Sequence, residues 1–212
     1  MELQMLAPGA YARTGEADPI RYYRWPIIGG LYRRRVARCI SLLPAGDRVL
    51  EVGYGSGVGF LNLASKFRRI VGVDVHERAD SVARTFQPYD LDLDLRQASV
   101  TELPFDDGSF AAAVAISIHE ELPPEQQERA FEEIHRVLRP GGCYVVGIPG
   151  VNVLMNSAFY LLGCNIKKYH VSDNAWVMSA MRRRFHIEEV LYSPRWMPPA
   201  LTAYVCIKGR RT

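Results

Sequence analysis

Cysteine is scarce in this chain. Cys39, Cys143, Cys164 and Cys206 stand far apart and form no C-x-x-C pair. That spacing points to reduced thiols rather than a disulfide framework, and it gives no ligand set, so no metal is expected. Long apolar runs are missing too: none approaches the ~18 residues of a membrane-spanning helix. The opening M-E-L-Q-M-L-A-P lacks the basic start and apolar core of a signal peptide, so the expected location is cytoplasmic. There is no internal repeat and no low-complexity tract. Nor is there a strong charge of one sign: 26 Lys and Arg face 23 Asp and Glu. No nucleic-acid recognition module is visible, and no nucleic-acid partner is expected.

What is present is enough for one domain. The 212 residues are 48% hydrophobic, which suits a single domain over residues 1–212. Its charge is unevenly placed. Up to Asp47 there are seven arginines against four acids, and from Ile166 onward nine Lys or Arg against three acids. Basic ends around an acidic middle hint at an anionic partner, though solvated helix faces explain them as well.

Hydrophobic periodicity orders the elements. Leu31, Val36, Ile40 and Leu43 share a helix face inside an N-terminal helical cap, residues 1–43. Arg48 to Val52 reads as a buried strand, Phe60 to Phe67 as a helical stripe, and Ile70 to Val75 as a second strand. A helix over Ser81 to Phe86 follows. D-L-D-L-D-L, Asp90 to Leu95, alternates as a half-wet third strand. Phe110 to Ile118 is a fourth strand, Pro124 to Leu138 an amphipathic helix, and Tyr144 to Ile148 a fifth strand. Asp173 is placed to cap a helix running to Met181. Ile187 to Tyr192 and Thr202 to Ile207 have no helix between them, so they should pair antiparallel. The pattern predicts an α/β fold: a Rossmann-like, doubly wound, mostly parallel seven-stranded sheet ending in an antiparallel hairpin.

After the first strand comes E-V-G-Y-G-S-G-V-G, Glu51 to Gly59. In such sheets ligands sit at the carboxyl ends of the strands. The dinucleotide fingerprint G-x-G-x-x-G fails here, because Val58 or Phe60 stands where its third glycine belongs. That spacing speaks against a nicotinamide-dependent oxidoreductase. The loop resembles motif I of the class I S-adenosylmethionine-dependent methyltransferases. So do V-G-V-D-V ending at Val75, L-P-F-D-D-G-S-F from Leu103, L-R-P-G-G from Leu138, and the terminal hairpin.

The resemblance implies S-adenosyl-L-methionine as cofactor and assigns residues to it. Gly53, Gly55 and Gly57 would let the methionine portion approach the backbone, with Glu51 orienting the loop or reaching the amino group through water. Asp74 would hold the ribose hydroxyls, with Val75 beside it. Ser99 stands where the family often has an acid for the adenine, next to Val100. Ala115 and Ile116 would line the methionine moiety. Gly59 is assigned to helix-to-sheet packing.

At the acceptor end, His119 follows the fourth strand, where the family often places a pocket-lining histidine, and is the candidate general base. A structural histidine at a helix end is the equal alternative. Two segments should build the substrate pocket: Arg21 to Arg35, with Tyr22, Tyr23 and Arg24, and a lid over residues 150–172, with Tyr169 and His170. Both mix bulky apolar residues with cations. The expected reaction is methyl transfer to an oxygen or nitrogen of a small, partly hydrophobic and anionic acceptor. A lipid headgroup at a membrane surface is one version, with peripheral membrane contact. A non-catalytic cofactor-binding scaffold is the alternative, given Ser99.

Overall fold

A computed structural model describes residues 2–7, 9–15, 18–150, 174–194, 197–198 and 201–212. Seven strands form one sheet in the order β3-β2-β1-β4-β5-β7-β6. β1 (Gly46–Val52), β2 (Phe67–Asp74), β3 (Asp92–Gln97), β4 (Phe110–Ile116) and β5 (Leu138–Pro149) run parallel. β7 (Tyr204–Arg211) is antiparallel to both β5 and β6 (Phe185–Ser193). The terminal hairpin thus folds back, so that the last strand lies inside the sheet and β6 takes the edge.

Alternation along each central strand splits the core into two layers. Val49, Ile70, Ala112 and Val114 pack on one face with Phe60 and Phe86, under α1 (Pro26–Leu42), α2 (Phe60–Ala64) and α3 (Ala79–Phe86). Leu50, Val71, Ala113 and Ala115 pack on the other with Phe131, Ile134 and Met181, under α4 (Pro124–Val137) and α5 (Asn174–Arg182). Strands covered on both faces read as continuous apolar runs, as here.

Most strand boundaries differ from expectation by a few residues, and three of the differences have a physical reason. Phe67 starts β2 and does not extend a helix, because α2 is only one turn long before the chain re-enters the sheet beside Gly46. β3 begins two residues late, since Asp90 turns the chain at φ 51°. L-R-P-G-G is part of β5: Leu138 pairs Phe110, Cys143 pairs Ala112, and the surplus residues bulge where Gly141 has φ +72°. The helix over Asn174–Arg182 is present, while Asp173 lies outside the described residues.

The basic C-terminal end is partly neutralised from within. Arg183 and Arg184 pair with Glu128 and Glu132 of α4, and Arg210 with Glu188 of β6. Among the described residues no helix is long and apolar enough to cross a membrane, and no cluster of side chains could hold a metal ion.

Candidate functional site

The carboxyl ends of β1, β2 and β4 open into a cavity of about 710 Å³, roofed on one side by the 3-10 helix Pro19–Arg24 and by α1. That size accommodates a nucleotide-sized ligand with room beside it.

The glycine turn forms its floor. Gly55 has φ +50°, and a Cβ built there would meet nothing within 4 Å. Its N–H donates to Asp74 Oδ2 at 2.8 Å, while Asp74 Oδ1 accepts from the His76 N–H at 3.3 Å. Each carboxylate oxygen keeps a lone pair for a further donor. His76 closes this corner. Its Nδ1 accepts from the Arg78 N–H at 3.1 Å, which leaves Nε2 to donate to the Gly55 carbonyl at 3.1 Å.

The other glycines do different work. At Gly57 (φ +80°) a Cβ would sit 2.6 Å from the Phe60 ring and 2.7 Å from Phe86, so it faces the core and not the cavity. At Gly53 (φ +69°) it would strike Ile118. At Gly59, the N-cap residue of α2, it would lie 2.9 Å from Glu51 Oε1 on β1, so this glycine lets the helix start pack close against the strand and makes room for its carboxyl group.

Glu51 is buried, and its Oε2 has no partner among the described residues. Burial, reinforced by the Asp74 charge, pushes its pKa up to about 8. Ser56 Oγ and the Tyr54 hydroxyl are likewise buried and unpartnered beside the same turn. Buried polar atoms normally find partners, so this set is suited to a polar ligand. Val75, 72% exposed despite its apolar side chain, and the buried Val100 line the cavity beyond Asp74. Ser99 is also at the wall, its Oγ accepting from the Thr101 N–H at 3.2 Å. These residues fit S-adenosylmethionine: a flat apolar slot, a carboxylate with free lone pairs, and an orphaned acid beside an open backbone turn.

Beyond β4 the structure rearranges the expected site. Ile116 reaches the cavity, but Ala115 points into the opposite core layer, since neighbouring strand residues face opposite sides. His119 does not face the cavity. It is buried, stacks on Phe131 at 4.3 Å, and its Nε2 shares a 2.6 Å hydrogen bond with the Tyr144 hydroxyl. Burial lowers its pKa to about 3. Ser117 takes a left-handed φ of 60° just before the 3-10 turn His119–Glu121, and Glu120 rather than His119 lines the cavity. Glu120 is buried, its Oε2 has no partner among the described residues, and burial pushes its pKa to about 8.

Tyr22 and Tyr23 line the cavity, whereas Arg24 is exposed and turned away toward Gly9. The interior cation is Arg35. Its guanidinium lies 4.0 Å over the Tyr32 ring, and its Nη1 donates to Ser117 Oγ at 3.1 Å. Its Nε is buried without a partner. Burial opposes its charge, but Tyr23, Tyr204 and Tyr32 hold its pKa above the ordinary arginine range. Tyr204 Oη and Ser117 Oγ are 3.2 Å apart, which completes the network. Tyr169 and His170, with nearly all of the expected lid, lie outside the described residues. Arg35, Glu120, Ser117 and Tyr204 were not singled out from the sequence. The one available signal was the H-E pair itself, which left open which of the two faces inward.

The model of a methyltransferase domain matches residues 49–142. A probable S-adenosylmethionine-dependent methyltransferase of Mycolicibacterium smegmatis is 35% identical over 119 residues, covering 56% of this chain and 42% of that protein. A phosphatidylethanolamine N-methyltransferase of Cereibacter sphaeroides is 33% identical over 135 residues, 59% of this chain and 64% of that protein. The chain spans about half the length of the curated relatives it matches. Among solved structures, the N-methyltransferase NodS of Bradyrhizobium japonicum in complex with S-adenosyl-L-homocysteine superposes with a TM-score of 0.70. It covers 94% of each chain at 18% identity, a likeness of fold.

Proposed function

This chain carries a class I S-adenosylmethionine-dependent methyltransferase domain, and on that premise we propose that it methylates an oxygen or nitrogen of a small acceptor, partly apolar and partly anionic. When bound, S-adenosylmethionine supplies an electrophilic methyl group on a positively charged sulfur. Asp74 accepts the two ribose hydroxyls on its remaining lone pairs. Val75 and Val100 flank the adenine, and Ser99 replaces an acid at its edge. Gly53 and Gly55 bring the backbone to the methionine portion, whose amino group meets Glu51, and Ile116 lies along it. Gly57 serves the turn only through the packing behind it.

The observation that carries this reading is the unpartnered Glu51 oxygen beside the open Gly55 turn and Asp74. Catalysis here consists mainly of alignment and exclusion of water. Tyr22, Tyr23 and Tyr32 supply the apolar wall for the acceptor, and Arg35 supplies the charge for an anionic group. Calorimetry tests the donor: S-adenosylhomocysteine should bind and NAD should not. Tight NAD binding without S-adenosylhomocysteine binding would overturn the reading. Turnover of labelled donor with a metabolite extract then separates an enzyme from a scaffold.

One surface feature favours a lipid headgroup as acceptor. Trp25 is 44% exposed at the start of α1, close along the chain to the exposed Arg21 and Arg24. An exposed aromatic ring next to arginines suits an anionic membrane surface. The relative from Cereibacter sphaeroides is named a phosphatidylethanolamine N-methyltransferase. Flotation with anionic vesicles should show salt-sensitive binding, and its absence removes this version.

A further inference from the structure

We infer that the Glu120 carboxyl group accepts the proton of the acceptor's reacting oxygen or nitrogen. This rests on the proposed methyltransferase function and deepens it: the acceptor arrives as a hydroxyl or a protonated amine, not as a bare nucleophile. The ionised Glu120 Oε2 takes the proton, and the electron pair so freed on the acceptor's oxygen or nitrogen forms the bond to the methyl carbon as the carbon–sulfur bond breaks, that bond's pair staying on sulfur.

Position and chemistry single out this residue. Glu120 is 2% exposed yet lines the cavity, and its Oε2 is buried with no partner among the described residues. A buried polar atom without a partner, on a residue that lines a cavity, costs free energy that a ligand donor would recover once the carboxyl turns toward it. The other candidates are placed differently, and Glu121, which also lines the cavity, is the rival that the Glu121→Gln variant separates. His119 is turned to Tyr144, the Tyr204 hydroxyl lies against Ser117, and Glu51 sits on the donor side of the turn.

The groups facing Glu120 are Arg35 from α1, Ser117 from the end of β4, Tyr204 from β7, and Glu121 on its own turn. Burial raises its pKa and Glu121 adds to this, while its own backbone N–H, Arg35 and Ser117 pull it back. At about 8 the group is largely protonated at pH 7, so its base form gains population, and turnover should climb, as the pH rises from 7 to 9.

The test needs no knowledge of the acceptor. Sinefungin differs from S-adenosylhomocysteine by a protonated amine at the place where the donor carries its methyl group. In the full-length protein, Glu120→Gln should lose sinefungin affinity by on the order of tenfold or more and keep S-adenosylhomocysteine affinity. At pH 7, calorimetry in buffers of different ionisation heat should show sinefungin binding to wild type releasing close to one proton more than S-adenosylhomocysteine binding, as Glu120 ionises against the amine. Glu51 meets the same amino group in both ligands and cancels from the difference.

Equal proton release by the two ligands in the wild type overturns the proposal, and that measurement stands even if the variant does not fold. Loss of sinefungin preference in Glu121→Gln but not in Glu120→Gln overturns it as well. A wild type that binds neither ligand refutes the methyltransferase reading beneath it.

Discussion

Replacing Asp74 with alanine removes one carboxylate that does two jobs. In the free protein its Oδ2 accepts from the Gly55 N–H at 2.8 Å and its Oδ1 from the His76 N–H at 3.3 Å. Both donors border the cavity, so water can replace the lost acceptor, and the cost in stability should stay near ~1 kcal/mol. In the proposed role, the same oxygens would accept two ribose hydroxyls of the bound donor as charge-assisted hydrogen bonds. Those hydroxyls return partly to water in the variant, so the loss is below the sum of two full bonds. It should be about 1–3 kcal/mol, a ~5- to 150-fold rise in the dissociation constant. Asp74→Asn should fall between wild type and alanine, since its amide keeps one acceptor but turns a donor toward Gly55 or the ribose. Calorimetric titration with S-adenosylhomocysteine, beside thermal melts to confirm folding, measures both effects. A folded Asp74→Ala protein with an unchanged dissociation constant would refute the role given to this carboxylate.

Other perturbations separate the parts of the site. Gly57→Ala forces a methyl group into Phe60 and Phe86 at φ +80° and should cost more than ~2 kcal/mol in denaturant melts. Gly55→Ala meets open space; it should cost only ~1 kcal/mol of left-handed strain but weaken S-adenosylhomocysteine binding. Equal effects from the two would contradict the different surroundings of these glycines. His119→Ala should lose about 2–4 kcal/mol of stability with the Phe131 stack and the Tyr144 bond, yet leave S-adenosylhomocysteine affinity intact. A large drop in affinity at unchanged stability would restore His119 to the site.

Protonation gives one more prediction. Glu51 and Glu120 have folded-state pKa values raised from 4.5 to about 8, so the folded protein binds more protons than the unfolded chain between those pH values. Each group should therefore lower stability as pH rises from about 4.5 to 8, by at most about 1.4 kcal/mol per pH unit. Glu51→Gln should flatten the slope of melting temperature against pH in that window, and an unaltered slope would count against its burial as a neutral acid.

The donor half was more legible in the chain than the acceptor half, for physical reasons. Asp74 and the Gly53–Gly59 loop are tied to strand ends, and strands announce themselves by apolar runs. Phe67 misled because an aromatic residue suits a helix stripe and a strand start equally well. In H-E, the choice of inward residue depended on a single left-handed residue, Ser117, and serine does not advertise that conformation. Arg35 was hidden in R-R-R, where only the rotation of α1 against Tyr204 decides which arginine turns inward. Arg35, Tyr204 and the pair Ser117 and Glu120 come from three distant segments and meet there, and distance along the chain conceals such meetings.

Arg35 and Tyr204 both lie outside residues 49–142, the segment shared with the family model, whereas Glu51, Gly55 and Asp74 lie within it. In the proposed reading, substitutions in the flanking helix and the final strand would reshape the acceptor wall without touching Glu51, Gly55 or Asp74, so that the two halves of the site can be altered separately.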